Sequence, residues 1–329
     1  MMTDQSETLT TRETRPDLQN RGYVLTRFGD ADAMELRDLD MPQAHEDEIV
    51  LRVHASSVNP VDYKIRDGEA PFVEESALPV ILGRDVSGTI ENMGPDAHNM
   101  LRRGDRIVAH MGEMVRGGHA RFVRVKAMEM TALPDNVDMV EAGTMPLVAM
   151  TAWQGLFDHG HLREGQSVLI HGAAGGVGHV AVQLAKAKGA KVIATAGTDD
   201  LDFVRGLGAD RVIDYKKEQF EDQVADVDMV FDLVGGETRD RSWSVLRKGG
   251  VLITTLSEPD SETAAKHEVR AETYMAHPDP KALGQVVAMM ADGKLKVTIA
   301  ERHAFEDIRT AYDRAENGHL RGKVAIVME

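Results

Sequence analysis

The sequence predicts an α/β protein in which a β-rich barrel domain is joined to a doubly wound parallel sheet. The chain has 329 residues, which suits about two domains of roughly 150 residues each. Its first third shows the alternating apolar pattern of short strands, and strand–helix–strand periods follow. The first of these periods contains a glycine-rich turn at residues 172–178. Such a turn between a strand and a helix is typical of parallel nucleotide-binding sheets.

Composition excludes several functional classes. The chain carries 38 Lys plus Arg against 54 Asp plus Glu, a net charge of −16, so its average field repels nucleic acid and anionic lipid. We therefore expect no nucleic-acid partner and no membrane insertion. With no cysteine, the chain has no disulfide, no thiolate nucleophile and no cysteine-containing zinc site. We expect no metal site.

The first 20 residues are polar and mixed in charge. They lack the apolar stretch of a secretory signal. We interpret residues 1–20 as a flexible N-terminal tail and expect a cytoplasmic location.

Residues 21–146 and 277–329 are predicted to form the barrel domain. Apolar and polar residues alternate between residues 49 and 55 and again between 123 and 127, which indicates half-buried strands. Glycine and proline residues interrupt these strand patterns at short intervals, as in small antiparallel barrels. Between the predicted strands, residues 59–71 are expected to form a loop.

Residues 147–276 are predicted to form the parallel-sheet domain. A strand at 167–171, a helix at 177–188 and a strand at 191–196 make its first unit. Aliphatic runs suited to further buried strands lie at residues 212–214, 229–233 and 251–256.

The C-terminal part is predicted to return to the barrel. Two helical stripes precede Gly318, one formed by Leu283, Val286, Val287 and Met290 and the other by Phe305, Ile308, Tyr312 and Ala315. A strand at residues 323–328 closes the chain.

The glycine turn predicts a dinucleotide site. Glycines at 172, 175, 176 and 178 allow backbone amides to approach a diphosphate, and the following helix directs its N-terminal partial charge at the same anion. The spacing also fits the short-chain dehydrogenases, but none of the five tyrosines has a lysine four residues later, as those enzymes require. A tight turn without a ligand is the remaining alternative.

Several longer segments carry a family resemblance. They lie at residues 57–68, 82–88, 118–123, 151–153, 171–178 and 318–323. Together they resemble the zinc-independent quinone oxidoreductase branch of the medium-chain dehydrogenase/reductase superfamily, from residue 22 to the end. The sequence Gly-Arg-Asp-Val-Ser-Gly at 83–88 is similar to the subgroup that contains the reticulon-interacting mitochondrial oxidoreductase. The resemblance implies a GroES-like catalytic domain and a Rossmann domain.

The same resemblance implies a function. Alcohol dehydrogenases of the superfamily carry Gly-His-Glu where this chain has Gly83-Arg84-Asp85, and their zinc-binding cysteines are absent here. Without a Lewis acid, direct alcohol oxidation is disfavoured. The expected activity is NADPH-dependent reduction of a small-molecule quinone or α,β-unsaturated carbonyl by a homodimer. The alternative is a non-catalytic NADPH-binding protein, such as a crystallin or an assembly factor.

The candidate catalytic residues are Asn59, Asp62 and Lys64, because the resemblance places their loop beside the nicotinamide. A cation at Lys64 would stabilise the anion that forms as hydride arrives. The alternative is that Asp62 and Lys64 pair with each other and Asn59 shapes a turn. Arg84 and Asp85 could be cleft residues or a structural ion pair, and we favour the ion pair.

The cofactor is predicted to be NADP(H). NAD-selective sites place an acid at the end of the second strand, whereas here that strand ends Thr-Ala-Gly-Thr at residues 195–198. Asp199 and Asp200 stand nearby and are interpreted as caps of the next helix. The predicted cofactor-binding residues are Thr151, Ala174, Gly175, Gly176, Val177, Gly197, Thr198, Tyr215, Lys216, Val234, Leu256, Ser257, Leu320, Arg321 and Lys323.

Overall fold

The computed structural model describes residues 19–97, 101–113 and 116–328. Its strands are β1 (Asn20–Leu25), β2 (Met34–Leu39), β3 (Ile49–Val58), β4 (Val80–Ile81), β5 (Asp85–Met93), β6 (Arg106–His110), β7 (Phe122–Val125), β8 (Met130–Ala132), β9 (Ser167–Ile170), β10 (Lys191–Ala196), β11 (Arg211–Asp214), β12 (Val227–Asp232), β13 (Leu246–Thr254), β14 (Arg270–Thr273), β15 (Ile299–Ala304) and β16 (Lys323–Val327). Its α-helices are α1 (Pro60–Arg66), α2 (Met139–Gly143), α3 (Pro146–Trp153), α4 (Gly178–Ala187), α5 (Leu201–Gly206), α6 (Gly236–Ser242), α7 (Ser261–Lys266), α8 (Pro280–Ala291) and α9 (Ile308–Asn317).

The barrel domain is β-rich, as predicted. Its larger sheet runs β15-β16-β3-β5-β6-β8, with β7 also paired to β3, and a smaller sheet runs β2-β1-β4. Strand β3 is central, because it pairs antiparallel with β5, β7 and β16. The C-terminal strand β16 therefore completes a domain that begins near the N-terminus.

The second domain is a parallel sheet with the order β11-β10-β9-β12-β13-β14. Every strand pair in this order is parallel. The order reverses at β9, which lies between β10 and β12, and ligands bind outside the carboxyl ends of strands at such a reversal. The predicted Rossmann sheet is confirmed, while the domain boundaries at 146/147 and 276/277 stay a prediction.

Two local predictions need correction. Residues 1–18 of the predicted tail lie outside the described residues, but Asn20 is buried in β1, where its side-chain oxygen accepts from Phe122 N at 3.0 Å. The predicted loop at 59–71 contains helix α1. Proline suits the first helical position at Pro60, and Asp62 accepts from Asn59 N at 2.9 Å as a reverse cap.

A cleft forms where the two domains meet. Val324 in β16 pairs with Val58 at the end of β3, so the residue before Val324 lies beside α1. One residue earlier, Gly322 N donates to Ala174 O at 3.0 Å in the glycine turn. Residues 298–323, called the C-terminal return below, thus link the barrel to the parallel sheet. No helix among the described residues is long and apolar enough to cross a bilayer.

Candidate active site

The cleft holds a cavity of about 1020 Å³ lined by residues of both domains. Many predicted site residues line it: Asn59, Lys64, Thr151, Gly175, Gly176, Val177, Leu256, Ser257, Leu320 and Lys323. Sequence analysis did not assign other lining residues to the cleft, including Phe72, His110, Tyr274 and Met275, and it favoured a structural role for Arg84, which also lines the cavity. The structure therefore brings the candidate catalytic loop and the glycine turn onto one cavity.

The glycine turn leaves its backbone open on the cleft side. A β-carbon at Gly176 would find its nearest neighbour, Lys323 Cδ, at 3.3 Å, and one at Gly175 would meet Gly172 O at 3.4 Å. At Gly178, by contrast, a β-carbon would lie 2.2 Å from Gly172 O. Gly178 is thus required for helix α4 to pack on the turn, whereas Gly175 and Gly176 expose backbone to the cavity. This arrangement fits a diphosphate at the helix N-terminus.

His179 fixes the turn to the C-terminal return. Its Nδ1 donates to Gly175 O at 3.0 Å, and its Nε2 accepts from Thr298 N at 3.2 Å. Burial lowers the pKa of His179 to about 4. The ring is therefore neutral at physiological pH, and both of its nitrogens are occupied by backbone.

A buried polar network forms the floor of the cleft. The Asp85 carboxylate is fully buried, and its Oδ2 accepts from Ser57 Oγ at 2.5 Å and from Asn59 Nδ2 at 2.8 Å. Its Oδ1 accepts from Leu147 N at 2.6 Å. Three donors thus compensate the buried charge. They also fix the orientation of the Asn59 amide, whose oxygen points away from Asp85.

Lys323 completes this network. Its side chain is 3% exposed, and its ammonium donates to Asn59 Oδ1 and to Val58 O, the latter at 3.2 Å. The Asp85 Oδ2 atom lies 3.6 Å from Nζ, an ion-pair distance longer than a hydrogen bond. Burial lowers the pKa of Lys323, while Asp85 and Asp62 oppose this shift. Two of the three ammonium N–H groups have hydrogen-bond acceptors at Val58 and Asn59, and the nearest further acceptor in the described part of the chain is the Asp85 carboxylate at the 3.6 Å ion-pair distance.

Asp62 and Lys64 do not pair with each other. Asp62 is fully buried, and its two carboxylate oxygens accept from Asn59 N and Gly83 N, each at 2.9 Å. Lys64 is exposed on the next part of α1 and lines the cleft. Asp62 therefore fixes the α1 terminus, and Lys64 is the member of the pair that faces the cavity.

Arg84 forms its ion pair with Asp62 rather than with Asp85. The Arg84 Nε atom lies 3.9 Å from Asp62 Oδ1, and Nη1 donates to the carbonyl oxygens of Met111 and Glu113. The expected Arg84–Asp85 pair is thus wrong, because Arg84, just before β5, turns to Asp62, whereas the Asp85 carboxylate accepts from Ser57, Asn59 and Leu147. Arg84 lines the cleft despite being buried.

His110 is a cleft residue that sequence analysis missed. It ends strand β6 with 3% exposure, and its Nδ1 has no hydrogen-bond partner among the described residues. Burial lowers the pKa of His110 to about 4, with Arg84 acting in the same direction. It therefore presents a neutral imidazole at the floor. No local pattern distinguished this histidine from the other twelve.

The predicted adenosine end lies at the carboxyl end of β10. A β-carbon at Gly197 would lie 3.4 Å from Lys216 Cε and 3.5 Å from the Tyr215 hydroxyl, so both side chains extend over this glycine. Thr198 Oγ1 donates to Asp214 Oδ2 at 2.7 Å. Tyr215 and Lys216 are both exposed. Val234, also assigned to the cofactor, is 52% exposed near the glycine turn.

Asp200 and Arg321 pair beside this end. Arg321 Nε donates to Asp200 Oδ1 at 2.6 Å, and His319 Nε2 lies 3.2 Å from Asp200 Oδ2. Burial would raise the pKa of Asp200, but the hydrogen bonds from Arg321 and His319 outweigh it and lower that pKa. The expected helix cap is thus wrong for Asp200, since its carboxylate binds the C-terminal return instead of the α5 backbone.

Two family models match the chain. An alcohol dehydrogenase GroES-like domain matches residues 45–135, and a zinc-binding dehydrogenase domain matches residues 207–326. Among the described residues, no group of three His, Asp or Glu side chains is arranged to hold a metal ion.

Several proteins are similar along most of their length. The chain is 31% identical over 326 residues to the chloroplastic quinone-oxidoreductase homolog of Spinacia oleracea, covering 94% of this chain and 97% of that one. It is 30% identical to the human mitochondrial NAD(P)H oxidoreductase RTN4IP1, covering 92% and 88%. It is 31% identical to the chloroplastic NADPH-dependent alkenal/one oxidoreductase of Arabidopsis thaliana, covering 93% and 79%. These names point to an organelle, so the cytoplasmic prediction is wrong.

Solved structures of other proteins have the same fold as this chain. A quinone oxidoreductase from Coxiella burnetii superposes with a TM-score of 0.87 at 30% identity, covering 94% of this chain and all of that one. A mycobacterial protein complexed with NADPH superposes with a TM-score of 0.82 at 25% identity, covering 94% and 99%.

Proposed function

This chain belongs to the quinone oxidoreductase branch of the medium-chain dehydrogenase/reductase superfamily, and we propose that it reduces a quinone or an α,β-unsaturated carbonyl with NADPH. The observation that carries the proposal is the position of Lys323, which lines the same cavity as the glycine turn and whose ammonium donates to Asn59. A phosphate-binding turn and a hydrogen-bond donor for a substrate oxygen thus share one cleft.

Reduced nicotinamide supplies the hydride in this chemistry, and the protein supplies position and electrostatics. Gly175, Gly176 and Val177 would hold the diphosphate through backbone, and Thr151 would line the nicotinamide side. Gly197, Tyr215 and Lys216 would hold the adenosine end. The open backbone at Gly175 and Gly176 supports this assignment.

We propose that the third N–H of Lys323, whose only further partner among the described residues is the longer contact with Asp85, donates to the substrate oxygen, a role beyond the cofactor binding expected from the sequence. Negative charge grows on that oxygen as hydride reaches carbon, and a fixed cationic donor stabilises it more strongly in the transition state than in the ground state. Asn59 positions the ammonium, and Asp85 positions Asn59. Asp62 acts as a positioning residue through the α1 terminus, while Lys64 adds positive charge from the exposed wall.

We propose a preference for NADPH over NADH. Asp200 lies beside the adenosine end, and the Arg321 guanidinium donates to its carboxylate and offsets its charge. Lys216 is then left as a cation over Gly197, where a 2′-phosphate would be placed. The positive charge of Lys216 at this end therefore favours binding of NADPH over NADH.

The reaction is proposed to need no zinc. At the position where zinc-dependent relatives carry Gly-His-Glu, Arg84 occupies the cleft floor with its own cation, and the chain has no cysteine. Metal analysis of purified, active protein should find far less than one zinc per chain. Stoichiometric zinc that is lost together with activity would contradict this proposal.

We also propose a homodimer. Strand β14 stands at the end of the parallel sheet, and exposed edges of this kind pair with other chains. Sedimentation equilibrium should give twice the chain mass of 36.1 kDa, and a monomer at micromolar concentration would contradict it.

Steady-state NADPH oxidation tests the activity. Quinones and enones should each be compared with a saturated ketone of similar size, which a site without a Lewis acid should not reduce. Turnover confined to the electrophilic substrates is expected. NADPH binding without turnover on any electrophile would favour the non-catalytic alternative.

A further inference from the structure

The mouth of the cleft is apolar, in contrast to its floor. Phe72 is 45% exposed and Met275 is 57% exposed, and both line the cavity. Leu256, also exposed, and Ala70 and Pro71 line it beside them. Large apolar side chains of this protein are otherwise mostly buried, so exposed ones on one cavity indicate a binding surface. We call Phe72 and Met275 the mouth pair.

The mouth pair joins two walls of the cleft. Phe72 follows α1 of the barrel, and Met275 follows β14 of the parallel sheet. A ligand that contacts both side chains therefore crosses the cleft opening. Two charged lining residues, Lys64 and Glu69, are exposed, so their charged groups can turn to water.

Polarity changes along the cavity. Asn59, Arg84, His110 and Lys323 provide polar groups at the floor, and apolar side chains take over towards solvent. A substrate suited to both parts has a polar carbonyl-bearing head and an apolar extension. The volume of about 1020 Å³ lies at the upper end of the range for one drug-sized ligand, as expected for a site that holds two.

We propose that the mouth pair binds an alkyl chain attached to the quinone or enone, so that the preferred substrate is amphiphilic. This inference rests on the proposed function and specifies its substrate class. The carbonyl head lies at Lys323, and the chain lies between Phe72 and Met275. Each methylene that leaves water should improve kcat/KM by up to about fourfold, equivalent to about 0.8 kcal/mol.

A series of alkylated benzoquinones with one ring and increasing chain length tests the proposal. With wild-type protein, kcat/KM should rise with chain length and then level off once the chain extends past the mouth. Phe72→Ala and Met275→Ser should each lower kcat/KM about tenfold for the longest quinone and less than twofold for the ring without a chain. Met128→Ser is the matched control, because Met128 is 61% exposed and lies outside the cavity lining.

The outcomes separate this inference from the proposed function. Turnover that is equal for short and long chains, or equal losses in the mouth variants for both, would overturn the inference while leaving the reductase intact. If no quinone is turned over, the proposed function fails. In that case, calorimetric measurement of quinone binding to wild type and to Phe72→Ala still shows whether the mouth pair binds the alkyl chain. A change of oligomeric state in the mouth variants would show instead that a second copy covers this surface.

Discussion

The two ends of the cleft are built in different ways. At the floor, Asp85, Asn59 and Lys323 are buried and bound to each other. At the adenosine end, Tyr215 and Lys216 stand exposed over a glycine. A preformed buried network suits charge stabilisation, because it costs little reorganisation during the reaction. Exposed side chains suit cofactor choice, which depends on local charge balance.

The glycine turn between the two ends should show the largest effect. Gly176→Val should reduce NADPH binding by at least 100-fold with little change in Tm, because the branched side chain would occupy the space where backbone meets the diphosphate. Gly178→Ala should instead lower Tm sharply, since its β-carbon would meet Gly172 O at 2.2 Å. Near wild-type NADPH affinity in folded Gly176→Val would disprove the turn assignment.

At the floor, Lys323→Met should lower kcat/KM about 100-fold, a loss comparable to that of an oxyanion-hole donor. The Kd for NADPH should change less than threefold. Lys248→Met is the control, because Lys248 is 81% exposed on its side chain and is not part of the cavity lining. A variant with unchanged turnover would remove Lys323 from the mechanism.

The pH profile of kcat distinguishes a charge-stabilising role of Lys323 from a structural one. The charged ammonium stabilises an anionic oxygen more strongly than the neutral amine does, and burial lowers the pKa of Lys323 below its usual value. In wild type, kcat should therefore fall as pH rises, beginning below pH 10.5, the ordinary lysine value. The residual activity of Lys323→Met should lack that decline. If kcat of the variant still falls as pH rises, the decline is caused by the titration of another group and not by Lys323.

At the adenosine end, Lys216→Ala should weaken NADPH binding about tenfold and NADH binding less than twofold. Lys217→Ala is the neighbouring control, because Lys217 lies 3.4 Å from Asp214 instead of over Gly197. Arg321→Ala should also disfavour NADPH, since it leaves Asp200 without its main cation. Equal effects on both cofactors would show that charge at this end does not select between them.

The smallest catalytic effect is expected on the exposed wall. Lys64→Ala should lower kcat about fivefold and leave the Kd for NADPH nearly unchanged, because an exposed cation is screened by water. Glu69→Gln, on the same wall, serves as a charge control and should raise kcat slightly or leave it unchanged. A loss of activity as large as that of Lys323→Met would show that Lys64, and not Lys323, is the main source of charge stabilisation.

Local sequence patterns predicted the fold and the glycine turn, because strand alternation, helix periodicity and glycine spacing act over short distances. The capping residues at 59–62 also carried a helix signal that was overlooked. Long-range pairs were not predictable in this way. Lys323 and Asn59 lie 264 residues apart, and Arg321 and Asp200 lie 121 apart. The pairing of β16 with β3 brings Lys323 to Asn59, and the contact of Gly322 with Ala174 brings Arg321 to the parallel sheet. The sequence therefore showed the charges of these residues but not their partners.

Hydride transfer from NADPH to substrate carbon is the central claim, and isotope transfer tests it most directly. Wild-type protein should be incubated with an enone and NADPH carrying deuterium at the transferable position. The saturated carbonyl product should contain one deuterium at the β-carbon for each NADPH consumed, and Lys323→Met should form the same labelled product about 100-fold more slowly. NADPH consumption without deuterium in the product, or no consumption with any enone or quinone, would contradict the account.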